Sequence, residues 1–112
     1  MTDIHSSHDL SAADALQYAR TAEDAWTAGD GEACRTALAA GNDAVAAAAR
    51  RATDEHLYRL VESTAEAVAA ADDGVRLGAD DAGNRVTRAL VAVRHAANRL
   101  DPTAVADRDR MP

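Results

Sequence analysis

The chain has no lysine and no phenylalanine, a single cysteine (Cys34), two prolines and only three aromatic residues, Tyr18, Trp26 and Tyr58. Each scarcity excludes something. One cysteine rules out an intramolecular disulfide and makes a reducing cytoplasm the expected setting. So few aromatics leave little for stacking on bases, so nucleic acid is not an expected partner. No apolar run approaches the ~20 residues of a membrane span, and Met1 to Asp9 lacks the basic-then-apolar plan of a signal peptide. There is no glycine-rich phosphate loop, nucleophile elbow or paired-cysteine motif, so neither cofactor nor metal is expected. Arginine as the sole strong base, with acids that are mostly Asp, looks like a GC-rich coding bias.

What is present is alanine and negative charge. At 112 residues the chain is one domain by length, able to bury roughly two-thirds of its unfolded surface. Its apolar fraction is 47%, much of it alanine, and each alanine contributes little area at about 25 cal/mol per Å². The large apolar set is short: Leu16, Trp26, Leu38, Val45, Leu57, Leu60, Val61, Val68, Val86, Leu90, Val93, Leu100 and a few others. A core this thin favours self-association through alanine-rich faces, and an oligomer is expected. The net charge of -7 argues against binding nucleic acid or an anionic membrane with the whole surface.

Hydrophobic spacing predicts an all-α fold, a four-helix bundle made of two antiparallel helical hairpins. Ser11 with Asp14 reads as a helix start. Ala15, Ala19, Ala22 and Trp26 then recur on one face until Gly29-Asp30-Gly31 stops the helix, giving 11–28. Cys34, Ala37, Leu38, Gly41, Ala44, Val45 and Ala48 form the stripe of a second helix over 32–52. Gly41 in mid-stripe predicts a close helix crossing. No Gly or Pro interrupts Asp43 to Asp72, yet one helix from Glu32 to Asp72 would run about 60 Å. The later set of Leu57, Leu60, Val61, Thr64, Val68, Ala71 and Val75 is out of phase with the earlier one, which predicts a break near 52–54. Thr53-Asp54-Glu55 then serves as cap and acidic first turn of a third helix over 54–72. Asp72-Asp73-Gly74 and Gly78 to Asp81 read as a loop. Val86, Ala89, Leu90, Val93, Ala96, Ala97 and Leu100 mark a fourth helix over 82–100, ended by Asp101-Pro102. The domain is thus 11–101, between flexible tails at 1–10 and 102–112.

Thr21-Ala22-Glu23 through Asp30-Gly31 matches Thr64-Ala65-Glu66 through Asp73-Gly74 at an offset of 43, a hint of duplication. Ala28-Gly29-Asp30-Gly31-Glu32-Ala33-Cys34, followed by Ala37-Leu38, resembles the inter-helix turn of a tetratricopeptide repeat. That resemblance covers the first hairpin and implies stacked helical hairpins that bind a partner. Tyr18 and Trp26 do not occupy that repeat's bulky first-helix positions, and no proline closes the unit. Trp26 to Gly29 resembles the WxG turn of small secreted helical dimers, with a spacing one residue too long. Tyr58 with Glu62 resembles their export signal but lies mid-chain, so Trp26 reads as a core anchor.

The segment Ala82 to Leu100 carries Arg85, Arg88, Arg94, Arg99 and His95 and no acid, so it is +4 while the remainder of the chain carries -11. Arg85, Arg88, His95 and Arg99 share one helix face opposite Val86, Leu90, Val93 and Leu100. They either pair with acids of the fold, such as Glu62, Glu66 and Asp73, or meet an anionic partner, because arginine forks grip carboxylates bidentately. Arg51 and His56 have an R-x4-H spacing that resembles helical HEPN ribonucleases and implies action on RNA, although the pair straddles a predicted helix boundary. His5 and His8, with Asp3 and Asp9, are a possible metal cluster. Cys34 lies on an apolar stripe and reads as a small buried hydrophobe. The expected function is a non-enzymatic interaction or regulatory module that binds a protein partner through Arg85, Arg88, Arg94, His95 and Arg99. The alternative is a HEPN-like enzyme or an accessory subunit of an enzyme or larger assembly.

Overall fold

The computed structural model describes residues 10–52 and 56–100. They form four helices: α1 (Ala12–Thr27), α2 (Gly31–Ala52), α3 (His56–Leu77) and α4 (Ala82–Leu100). No strand occurs among the described residues. Helices consecutive in sequence pack together and α4 closes back on α1, while α2 and α4 also meet across the middle. The result is a helical bundle of two antiparallel hairpins, with a radius of gyration of 13.7 Å, near the ~13 Å of a compact 100-residue chain.

Local signals explain the helix ends. Asp14 N–H donates to the Ser11 hydroxyl (3.3 Å) and Ser11 N–H donates to the Asp14 carboxylate (2.8 Å), a reciprocal cap at the start of α1. Asp30 caps α2 by accepting from the Ala33 N–H at 3.0 Å. Both described inter-helix turns close on a left-handed glycine, Gly29 (φ 83°) and Gly78 (φ 66°). After Gly29, Asp30 N–H donates to the Ala25 carbonyl at 2.9 Å; after Gly78, Ala79 N–H donates to the Gly74 carbonyl at 2.9 Å. These are the same terminating motif. The turns are therefore equivalent at Gly29 and Gly78, not at the offset of 43 that the lettering suggests. The expected cap at Thr53 to Glu55 lies outside the described residues, as do residues 1–9 of the expected tail at 1–10 and all of the expected tail at 102–112.

The fourth helix has the expected bounds, and α2 and α3 are separate antiparallel helices. One boundary is corrected: Asp72-Asp73-Gly74 is not loop but part of α3, which continues to Leu77. Gly74 is buried there. A Cβ at this position would lie 2.8 Å from Arg85 Cδ and 3.4 Å from Ala82 Cα, so the glycine admits the first turn of α4 instead of breaking α3. The two aspartates are held by arginines. Arg35 of α2 donates to Asp72 at 2.7 Å, and Arg76 donates to Asp73 at 2.8 Å. The bond to Asp72 raises the Arg35 guanidinium further above its ordinary value.

Small residues line the interior. Ala15, Ala19 and Ala22 of α1, Ala44 of α2 and Ala89, Ala96 and Ala97 of α4 are essentially inaccessible. The largest fully buried side chains are Leu38, Val45, Val86, Val93, Thr64 and Cys34. Thr64 satisfies its hydroxyl by donating to the Leu60 carbonyl at 2.8 Å. Trp26 is not a fully buried anchor. It is half-buried at the rim of the core, beside Gly83 of α4, where a Cβ would meet its ring at 3.8 Å. Gly41 sits where α2 meets both α1 and α4, and a Cβ there would lie 3.4 Å from Val93 Cγ1 and 3.6 Å from Tyr18 Cβ.

Those distances separate two glycines. At Gly31 an added Cβ would fall 2.8 Å from Val75 Cγ1, and a β-branched neighbour on a helix has little freedom to move aside. Gly31→Ala is expected to lower the urea midpoint by the equivalent of roughly 1–3 kcal/mol. Gly41→Ala meets only ordinary contacts and is expected to hold or raise stability by up to ~1 kcal/mol through helix propensity. Adding Val75→Ala to Gly31→Ala should recover part of the loss.

Candidate partner-binding groove

The inward face of α4 is fixed by Val86, Ala89, Leu90, Val93, Ala96 and Ala97, all buried. That orientation turns Arg88, Val91, Ala92, His95 and Arg99 toward an open groove against α3. The groove encloses about 520 Å³, with Leu60, Ser63, Thr64 and Ala67 on the α3 side and Thr87, Arg88, Val91, Ala92 and His95 on the α4 side. It runs into a second depression of about 310 Å³ lined by Leu57, Arg59, Leu60, Ser63, His95 and Arg99. Leu60, Ser63 and His95 line both, so the two depressions adjoin along the α3–α4 seam. From Arg88 to Arg99 the helix rises about 16 Å, three turns.

No carboxylate lines either part. Arg59, Arg88 and Arg99 have no hydrogen bond or ion pair among the described residues. Val91 stands in the middle of the α4 wall, 59% exposed. The groove therefore combines small and aliphatic side chains with guanidinium groups that have no partner among the described residues. A third depression, of about 510 Å³ between α1 and α2, has the opposite character. Tyr18, Ala33, Ala37 and Ala40 line it beneath Asp30 and Glu32.

The five residues expected to bind a partner divide. Arg88, His95 and Arg99 lie on the groove. Arg85 instead reaches Asp81 one turn earlier at 2.9 Å and donates to the Ala70 carbonyl of α3 at 3.2 Å. Arg94, on another face of α4, pairs with Glu23 of α1 at 2.8 Å. The acids that engage α4 are thus Asp81 and Glu23. Of the three that sequence suggested, Asp73 is taken by Arg76, and Glu62 and Glu66 form no ion pair among the described residues. Sequence reasoning missed Arg59, Ser63, Ala67, Val91 and Ala92. Val91 carried a usable signal, an aliphatic residue out of phase with the inward stripe on an otherwise polar face.

The remaining candidates are engaged elsewhere or undescribed. Arg51 donates from its guanidinium to the Leu10 carbonyl, pinning the end of α2 to the entry of α1. It belongs to the last turn of α2, whereas His56 opens α3, and the His56 side chain lies outside the described residues. The His5, His8, Asp3 and Asp9 cluster lies outside them as well. Among the described residues no group of three or more His, Cys, Asp or Glu is placed to hold a metal ion. Cys34 is fully buried, and burial pushes its thiol above the ordinary range, which disfavours the reactive thiolate. Tyr58 is 70% exposed on α3. Among the described residues no helix is long and apolar enough to cross a membrane. Comparisons with protein families, with curated proteins and with solved structures find no match.

The division of the arginines is measurable. Arg85→Ala should lower thermal stability by about 1 kcal/mol, losing a hydrogen bond to a carbonyl and a packed stem. Arg88→Ala and Arg99→Ala should stay within about 0.5 kcal/mol of the parent. Cys34 gives a pH signature. The folded chain keeps the thiol proton to higher pH than the unfolded chain, so folding stability falls as pH rises from the ordinary thiol range through the raised folded value. Urea midpoints between about pH 7 and about pH 10 should fall more steeply for the native chain than for Cys34→Ala. Parallel slopes would contradict the assignment.

Proposed function

We propose that this chain is a small non-enzymatic interaction module that docks a protein partner in the groove between α3 and α4. The observation that carries this reading is the set of guanidinium groups without a partner among the described residues, Arg59, Arg88 and Arg99, around small and aliphatic side chains, with Val91 exposed on the α4 wall. Like charges gathered without counterions repel one another in the free protein, and a partner relieves that repulsion. Arg88, His95 and Arg99 then set orientation and association rate more than affinity, while Leu60, Ala67, Val91 and Ala92 supply the apolar contact.

Many of the alanines expected to mediate self-association lie inside this chain, while Ala39, Ala69 and Ala70 stay exposed and leave outer alanine faces for it. A two-fold pairing through the groove would bring arginine-bearing walls together, which costs electrostatic energy. The occupant of the groove in this reading is therefore a different protein. A net charge of -7 and the lack of stacking aromatics on the groove disfavour nucleic acid. The tetratricopeptide-like turn at Ala28 to Leu38 points in the same direction, and the single thiol suits a reducing cytoplasm.

A photocrosslinking residue at position 91, with one at position 20 as a control on exposed α1, tests this in the cells that make the protein. A defined adduct from position 91 that is absent from position 20, and lost with Arg88→Glu, is expected. Equal adducts from both positions, or none from 91, would overturn the reading.

A further inference from the structure

The groove has a chemistry specific enough to say what fits it. Its walls are two helices, so it offers no sheet edge for an extended peptide, and an amphipathic helix is the occupant for which such a channel is shaped. Buried Thr64 and the partly buried Leu60, Ala67 and Ala92 line its deeper part. Small side chains of this kind are what the chain's own four helices pack upon, where Ala19, Ala44, Ala89 and Ala96 are at most 1% exposed. Such a lining lets another backbone approach closely. The charges stand on the shoulders of the channel. Arg88, His95 and Arg99 lie along the α4 wall at i, i+7 and i+11, and Arg59 stands on the α3 side beside His95 and Arg99.

We infer that the occupant is an acidic amphipathic helix of a partner protein, about three turns long. It lays a stripe of small and aliphatic residues on Leu60, Ala67, Val91 and Ala92. Carboxylates on both of its shoulders meet Arg59, Arg88 and Arg99. This inference rests on the groove reading above and adds the sign, length and shape of the ligand. Two other occupants fit less well. An anionic bilayer is flat where the groove is concave. A second copy brings its own arginines to the same face.

The test uses the full chain and a synthetic helix of roughly four turns, with leucine and alanine on one stripe and glutamate on both shoulders. A peptide with lysine on the shoulders and a scrambled acidic peptide serve as controls, and binding is read by fluorescence anisotropy at low and high salt. The glutamate-shouldered helix should bind, with affinity falling as salt rises. Arg88→Glu with Arg99→Glu should weaken it about tenfold or more. Arg20→Glu with Arg50→Glu, an equal charge change away from the groove, should leave it within about twofold. Val91→Glu should also abolish binding without altering the helical spectrum.

Each other outcome overturns the inference in a distinct way. If the lysine-shouldered helix binds instead and Val91→Glu abolishes that binding, the groove docks a partner but not an acidic one. If the scrambled acidic peptide binds equally, charge alone is responsible and no helix is recognised. If no peptide binds and light scattering shows a dimer that Val91→Glu converts to monomer, a second copy is the occupant. Binding to vesicles of phosphatidylserine, lost with the same double variant, would make the surface a membrane site. Failure of every peptide alongside a defined position-91 adduct in cells would leave the docking reading standing and remove the acidic helix.

Discussion

Close approach of helices along alanine and glycine faces is the constraint from which the rest of this structure follows. With no phenylalanine and only Leu38, Val45, Val86 and Val93 as the large aliphatic side chains of the innermost layer, transfer of apolar area gives a modest driving force. The helices compensate by standing near enough for many weak dispersion contacts. That works only where side chains are small at the crossings. Gly41 lets α2 meet α1 and α4 at one place, Gly31 leaves room for Val75, and Gly74 admits the first turn of α4. The diagonal contact of α2 with α4 is a consequence of this economy of volume.

Charge then does what the thin core does not, fastening helix to helix at the periphery. Arg35 joins α2 to α3 through Asp72, Arg94 joins α4 to α1 through Glu23, and Arg85 joins α4 to α3 through the Ala70 carbonyl. These contacts are partly exposed, and each contributes little alone. Their value lies in specifying which helices are neighbours. Arginine suits this task because its planar fork fixes direction as well as distance.

The helices were legible in the sequence because alanine, valine and leucine repeat with the period of an α-helix, and α4, whose stripe has no gap, emerged with both of its ends. The end of α3 was not legible. Asp72-Asp73-Gly74 has the composition of a turn, and its helical state draws on Arg35 of α2, distant in sequence, as well as on the nearby Arg76 and the first turn of α4. The same reason split the expected site. Arg85 and Arg88 are one helical turn apart and look alike in sequence, but Asp81 and the Ala70 carbonyl lie within reach of one and not the other. Arg59 went unnoticed because a lone arginine on α3 acquires meaning only when α4 brings Arg99 and His95 beside it.

The acid-free composition of α4 follows from these two duties. A carboxylate at position 91 or 92 would pair with Arg88 or His95 one turn away and neutralise the α4 wall. A carboxylate near position 94 would compete with Glu23 for the guanidinium that holds α4 to α1. Excluding acids from the whole helix therefore protects an internal fastening on one side and keeps the groove open and cationic on the other. The same bias in composition lets an arginine pair across helices where an acid is within reach, as with Arg94 and Glu23, and leaves the groove wall cationic where none is.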